Sequence, residues 1–405
     1  IYANALYAFI FQKCKYDECS VFGDDKWAKV QIFSLSLIFK LWSMKHYRSP
    51  SFQQDMIDNL RNVAIPGTGV PLSVFCYSYW TCLFYVVFLN PFICLMGAIN
   101  KARKESHTTL EGASASVLAH FKQHLLHPDD WFSFWRLNCR LVSYHSTLTS
   151  HIDYQQEDKW SFLTLGKQLE VPVSPFLDHI PSLVCKNKNI EGGMGIHFFQ
   201  NAAHGGDWIL QERLENADWL NALLPANAPL STMRVITTST WALRQTETAT
   251  STTTQAEEYV RAESGLLRLG RANASTDHSS VLFDVDIATG EIRQGTSNAH
   301  WYQLGLQKAA TCPWLPPQET VTRHADAPYP EVTGQCIPNM QAALKIVVES
   351  HFKMLRSVPI VGWDVAFTPA GVFLLEVNLS CNFFKGSFDV PRYIDFVHEY
   401  WRFLQ

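Results

Sequence analysis

Residues 360–378, IVGWDVAFTPAGVFLLEVN, set two carboxylates and an amide inside apolar runs, where an uncompensated charge is costly. Two β-rich stretches flank Pro369-Ala370-Gly371, which reads as a three-residue hairpin with Gly371 in the left-handed position of a bulged turn. Pairing Thr368 with Val372 puts Asp364 directly across from Glu376, and Asn378 falls on the same face two residues further along. Opposed carboxylates with Cβ atoms about 5 Å apart repel each other unless a cation sits between them. Ligands that are all oxygen, from Asp364, Glu376 and the Asn378 carbonyl, select a hard ion such as Mg²⁺, or Mn²⁺ in its place. The competing reading is a solvent-facing acidic pair.

Upstream groups could meet the phosphates that such an ion bridges. Lys159 opens a helix over 159–169, and Lys186 ends an apolar strand, followed by Gly192, Gly193 and Gly195 before a second apolar strand. Glycines let backbone N–H groups approach phosphate oxygens, and a nearby lysine offsets their charge; surface lysines on an ordinary hairpin are the plainer alternative. Gln211 and Glu212 follow a short apolar strand and could hold a purine edge and ribose hydroxyls, although a Glu at a helix N-terminus reads equally simply. Arg234, Arg268 and Arg271 lie on two strands around a Thr-rich loop, as anion binders or as surface arginines.

These residues need strands and helices in mixed order. Residues 159–378 alternate helix, short strands at 171–175 and 182–186, and longer strand pairs, which is an α+β unit of domain size. Before it, 110–126 and 129–148 have helical apolar spacing and form a helical lead-in. The chain has 405 residues, of which 47% are hydrophobic, so it can bury a large core. Its 33 Lys+Arg against 37 Asp+Glu give a net charge of −4 without a basic run, which excludes an electrostatic nucleic-acid binder. Ten cysteines without a C-x-x-C pair read as free thiols.

The N-terminal quarter raises the membrane question. No charged residue occurs from Asn62 to Asn100, and Leu72 to Ile99 is long enough to cross a bilayer as a helix. Asn90-Pro91 should kink it or divide it, and Lys101, Arg103 and Lys104 would leave the following domain in the cytoplasm. The alternative is a pair of buried core helices in a soluble cytoplasmic protein. Val30 to Trp42, shorter and carrying Lys40, should be an amphipathic or packed helix.

In this order FWRLNCRL, DKWSFL, the Lys186 strand with EGGMG, WILQERL, STMRVIT with LLRLGR, and GWDVAFTPAGVFLLEVN resemble motifs of the ATP-grasp superfamily. The likeness is nearest to its sugar-transfer associated, alpha-L-glutamate ligase-related branch, and covers about 135–378. The resemblance implies ATP held in a two-lobed fold over 156–405, with a small lobe at about 156–209 and a large lobe at about 210–405. The helical region 1–105 and the lead-in 106–155 precede it. Lysines matching Lys159 and Lys186 would touch the phosphates, EGGMG would cover them, and Gln211 to Leu214 would hold the adenine. Asp364, Glu376 and Asn378 match the Mg²⁺ ligands, and His324 lies in a stretch that the family keeps near the substrate. The sequence departs from the family in ANASTDHSS, where a Gly-rich segment is common, so Asp277 and His278 have no family role to inherit. The implied enzyme is a ligase joining a small carboxylate to an amine or sugar-linked acceptor through an acyl phosphate, with Arg234 and Arg268 near the tetrahedral intermediate. The alternatives are a phosphotransferase on a hydroxyl compound and a non-catalytic nucleotide-binding membrane protein.

Overall fold

The alternation of apolar residues after 230 becomes a single antiparallel sheet. The computed structural model of the chain describes residues 1–61, 70–105, 110–128, 132–149, 152–180, 182–189, 194–244, 256–276, 280–296, 320–326, 330–379, 381 and 389–405. Its strands are β1 (Phe176–Leu177), β2 (Ser182–Lys186), β3 (Ile196–Gln200), β4 (Leu210–Gln211), β5 (Thr232–Ser239), β6 (Val260–Leu269), β7 (Val281–Val285), β8 (Ile292–Thr296), β9 (Ile360–Thr368) and β10 (Gly371–Asn378). The main sheet has six strands in the order β10-β9-β5-β6-β7-β8, while β1 pairs β4 and β2 pairs β3 separately. The fold is α+β, an N-terminal helical region followed by this sheet and its helices.

β9 is buried along its whole length, because both faces of its centre are covered. On one face, Val235, Thr237, Val361 and Trp363 meet the helix Met340–Leu355. There the Trp363 indole N–H donates to Thr237 Oγ1 (2.9 Å), which lies 2.7 Å from His351 Nδ1. His351 Nε2 lies 3.0 Å from the Val358 carbonyl, so Nε2 carries the proton and Nδ1 accepts from the threonine hydroxyl. The opposite face carries Arg234 and Asp364, directly paired across β5 and β9.

The helical region is packed into the same core and does not stand apart from the sheet. One apolar cluster runs from Ala5 through Phe33 and Val86 to Trp363 and Tyr400. Its centre includes the helix Lys26–Lys40, buried on nearly every side over residues 28–39; this is the packed helix expected at Val30 to Trp42. Ser34 and Ser36 satisfy their hydroxyls on Val30 and Phe33 carbonyls, which lets a polar side chain sit there without a solvent-facing stripe. Glu157 joins the two regions. It accepts from the Leu379 N–H just past β10 (3.0 Å), pairs with Arg48 Nε (3.1 Å) and takes the Tyr47 hydroxyl.

Three local expectations need correction. The apolar run at 72–99 breaks at Ser78, not at Asn90-Pro91: Ser78 and Thr81 form a capping box, and a continuous helix then runs over Tyr79–Glu105. A π-helical turn at Tyr85–Leu89 shifts the backbone hydrogen bonding just before Pro91, whose ring and missing N–H would otherwise disrupt an α-helical turn. Residues 171–175 form no strand, because Pro172 and Pro175 cannot donate to a ladder; Val173 alone bridges to Leu374. The hairpin turn is also shorter. Gly371 (φ 123°) pairs with Thr368, leaving Pro369-Ala370 as a two-residue turn closed by the Thr368 hydroxyl on the Gly371 carbonyl. The expected helix at 159–169 is present as Lys159–Gln168, capped by the Asp158 carboxylate on the Ser161 N–H.

Candidate functional site

The two-residue turn starts β10 one residue out of the expected register, and a bulge restores it. From Gly371 to Leu374 each residue pairs one position away from expectation; after the bulge around Leu375, Glu376 pairs Asp364, Val377 pairs Trp363 and Asn378 pairs Gly362. Without that extra residue Glu376 would pair Trp363 and turn to the face covered by Met340–Leu355. The bulge therefore brings Glu376 onto the face of Asp364.

Cations of the chain itself offset the repulsion between these carboxylates. Asp364, 6% exposed, receives Arg234 Nε on one oxygen at 2.5 Å and Arg268 Nη2 on the other at 2.9 Å. Burial alone would raise the Asp364 carboxyl; the two guanidiniums outweigh it and hold the group below the usual carboxylate range. Glu376 pairs through Oε2 with Lys159 Nζ at 3.0 Å, and the Asn378 amide reaches its other oxygen at 3.4 Å. Lys159 is the first residue of its helix, where the helix dipole disfavours a positive charge, and Glu376 supplies the compensation. Position 362 must lack a side chain: a Cβ there would come within 2.5 Å of Cys381 Cβ and 3.2 Å of Arg234 Nη1.

These groups line a cleft of about 630 Å³. It brings together Lys159, Gln211, Glu212, Leu214, Arg234, Arg268, Asp364 and Glu376, residues drawn from a span of more than 200 positions. Gln211 is held by pairing with Phe176, and the Glu212 N–H by the Pro175 carbonyl at 3.0 Å. Asn378 touches Glu376 without lining the cleft. Lys186 and Gly195 sit at the turn end of the β2–β3 hairpin, an exposed ribbon whose residues do not line the cleft; Gly195 takes φ 66°. Gly192, Gly193, Asp277 and His278 lie outside the described residues. Arg271 is committed to Asp326 through two contacts, at 2.5 and 3.0 Å. His324 is buried, with Nε2 3.0 Å from the Gly270 carbonyl and Nδ1 accepting the Asp326 N–H.

Sequence reasoning missed several wall residues. Thr232 stands two positions before Arg234 on the same strand face and opposite Arg268, so period-two spacing could have found it. Ser174 and Thr276 come from irregular segments that carry no periodic signal.

No known protein family matches this sequence, and no curated protein is significantly similar to it. The cleft's chemistry therefore has to be argued from its own residues. Among the described residues no group of three His, Cys, Asp or Glu side chains could hold a metal ion, so a metal here would rest on two carboxylates and an amide oxygen. That donor set fits a hard cation in part. Glu376 and Asn378 are exchangeable oxygen donors, whereas both oxygens of Asp364 already carry a guanidinium.

Proposed function

We propose that the cleft binds ATP and activates a small carboxylate as an acyl phosphate for attack by an amine, as the likeness to ATP-grasp ligases implies. The observation that carries this reading is the arrangement on the floor of the cleft: three cations, Arg234, Arg268 and Lys159, interleaved with two opposed carboxylates. The cleft as a whole balances three cations with three carboxylates, Glu212 included, but the guanidiniums are fixed on its floor, where they can offset the charge that develops on a transferring phosphoryl group. Transfer of the γ-phosphoryl to the carboxylate releases ADP; the amine then adds to the acyl carbon and phosphate leaves. Arg268 and Arg234 orient and neutralise, and side-by-side placement of the two substrates supplies much of the acceleration. Gln211, Glu212 and Leu214 form the wall for the purine. Glu376 and Asn378, with Asp364 alongside, would hold Mg²⁺ or Mn²⁺, which would supply charge neutralisation to the phosphates when bound. Lys186, which the resemblance would place on the phosphates, does not line the cleft and is not required for this reading.

The test is Mg²⁺-dependent ATP binding followed by product analysis. ATP at a hundred times its Kd should stabilise the protein by about 2.7 kcal/mol, and Glu376→Gln should abolish this at the same concentration. ADP with free phosphate in the presence of a carboxylate and an amine supports the ligase, and a phosphoester product supports a phosphotransferase. Stabilisation that survives Glu376→Gln refutes the placement of ATP in this cleft.

We also propose that the protein lies on a membrane surface through the helix Tyr79–Glu105. Trp80, Phe84, Phe88 and Phe92, 73%, 51%, 63% and 48% exposed, recur every fourth residue and form one aromatic stripe. Cys82, Tyr85, Val86 and Ile93, on the other side, are buried in the core shared with the rest of the protein, where the Tyr2 hydroxyl donates to the Val86 carbonyl. A helix fused to a core on one side suits an in-plane position better than a crossing. Lys101, Arg103 and Lys104 are exposed beyond the stripe, complementary to anionic headgroups. The protein should float with phosphatidylserine-containing vesicles, and the triple change Trp80→Ser, Phe84→Ser, Phe88→Ser should release it. Unaltered flotation of that variant would sink the idea.

A further inference from the structure

A second cavity, of about 590 Å³, lies between the segment 10–16, the helix Lys26–Lys40 and the helix Val390–Phe403. It shares no lining residue with the cleft. Its lining contains four cationic side chains, Lys13, Lys15, Lys40 and Arg402, the imidazole of His398, and no side-chain carboxylate. Lys15 is partnered by Glu18 at 2.8 Å, while no described carboxylate lies within ion-pair distance of Lys13, Lys40 or Arg402. Aromatic rings, Tyr16, Phe33 and Trp401, make much of the remaining wall, with Ile10 and Cys14 among the others.

Like charges gathered round a hollow repel; Lys13, Lys15 and Arg402 are solvent-exposed and largely screened, so the cost falls on Lys40, and a bound anion would relieve it. Lys40 is the clearest case. It is half-buried at the end of its helix, and burial, followed by the nearby Lys13 charge, lowers its ammonium below the usual lysine value. Lys13 itself takes a left-handed backbone conformation, φ 53°, which a lysine rarely adopts and which tends to persist where surrounding structure demands it. A single carboxylate would leave most of this charge uncompensated. Two or more negative charges on one compact group answer it, and the aromatic wall gives an organic body a place to pack.

We propose that this cavity is a binding site for a phosphorylated ligand carrying at least two negative charges, separate from the cleft and independent of the reading given to it. Lys40, Lys13 and Arg402 hold the phosphate, and Tyr16, Phe33 and Trp401 bound the remainder of the ligand.

Cys14 lines this cavity and is partly exposed, so it reports occupancy locally. The experiment follows alkylation of Cys14 by iodoacetamide, peptide by peptide, with the exposed Cys185 and Cys336 as internal references. Pyrophosphate at ten times its Kd leaves about one site in ten free, so labelling of Cys14 should slow about tenfold while the references are unchanged. Lys40→Met and Arg402→Gln should each remove this protection; Glu376→Gln, in the cleft, should retain it. In a second arm, phosphatidylcholine vesicles with and without phosphatidic acid replace pyrophosphate. Protection by pyrophosphate assigns a soluble phosphorylated ligand, and protection by phosphatidic acid alone assigns a lipid headgroup. Absence of protection in both arms, or protection that persists in Lys40→Met and Arg402→Gln, overturns the proposal.

Discussion

Replacing Asp364 by alanine should destabilise the protein by about 3–5 kcal/mol, the usual cost of stripping the partner from a buried charge. The loss is large because the carboxylate serves two guanidiniums at once, Arg234 at 2.5 Å and Arg268 at 2.9 Å, on neighbouring strands of the sheet. Without it, two cations face each other in a poorly solvated pocket. The cost should lie in the stranded arginines and not in the missing aspartate side chain. Adding Arg234→Met and Arg268→Met to Asp364→Ala should therefore restore part of the stability, as urea denaturation of the single and triple variants would measure. A triple variant less stable than the single would mean that the arginines contribute chiefly through other contacts. The pH dependence has a definite sign. Because the folded-state Asp364 value is depressed, its contribution is present above the unfolded carboxylate value, near 3.9, and is lost as pH falls through the folded value. Around neutrality this group should be silent.

The hairpin 360–378 was legible because strand period, turn residues and two carboxylates in apolar runs all pointed to one face. The opposition of Asp364 and Glu376 was expected for an incomplete reason: a three-residue turn and a two-residue turn followed by a bulge give the same pairing beyond Leu375. Nothing in the amino-acid types distinguishes the two routes, since both use Gly371 at positive φ. The identity of the compensating cation was less legible. Opposed carboxylates demand positive charge, but Arg234, Arg268 and Lys159 are brought to them by pairing between strands and by a helix more than 200 residues away along the chain. Sequence spacing carries no such information. The N-terminal region shows the same limit. An uncharged run of lipid-like composition was visible, whereas the division of one helix into a buried face and an exposed aromatic face depends on which elements pack against it. The fourfold spacing of Trp80, Phe84, Phe88 and Phe92 was present in the sequence, but apolar residues between them concealed it.

Acidification from pH 6.5 to 4 should cost the protein about 3 kcal/mol through His351 alone. This ring is fully buried behind the sheet, and burial pushes its value down to about 4 from an ordinary 6.5. The unfolded chain therefore binds a proton that the folded chain refuses across that window, and stability falls with pH throughout it. Burial is the cause of the refusal and outweighs the backbone carbonyls, which favour the charged ring. Nε2–H already donates to the Val358 carbonyl, and Nδ1 is occupied by the hydroxyl of Thr237, which itself accepts from Trp363. A proton on Nδ1 would force the Thr237 hydroxyl to turn to the more distant Val361 carbonyl, at 3.3 Å, and would leave a net charge in an apolar layer. His46, lowered to about 4 first by burial and then by the Arg48 charge, adds to the same slope. His351→Gln should be less stable than the parent at pH 7, because glutamine cannot span the Thr237 and Val358 contacts with the same geometry. It should nevertheless lose much less stability between pH 6.5 and 4, so that the two unfolding free energies converge toward the acid end. Parallel curves for the two proteins would show that His351 titrates normally and that the acid sensitivity arises elsewhere.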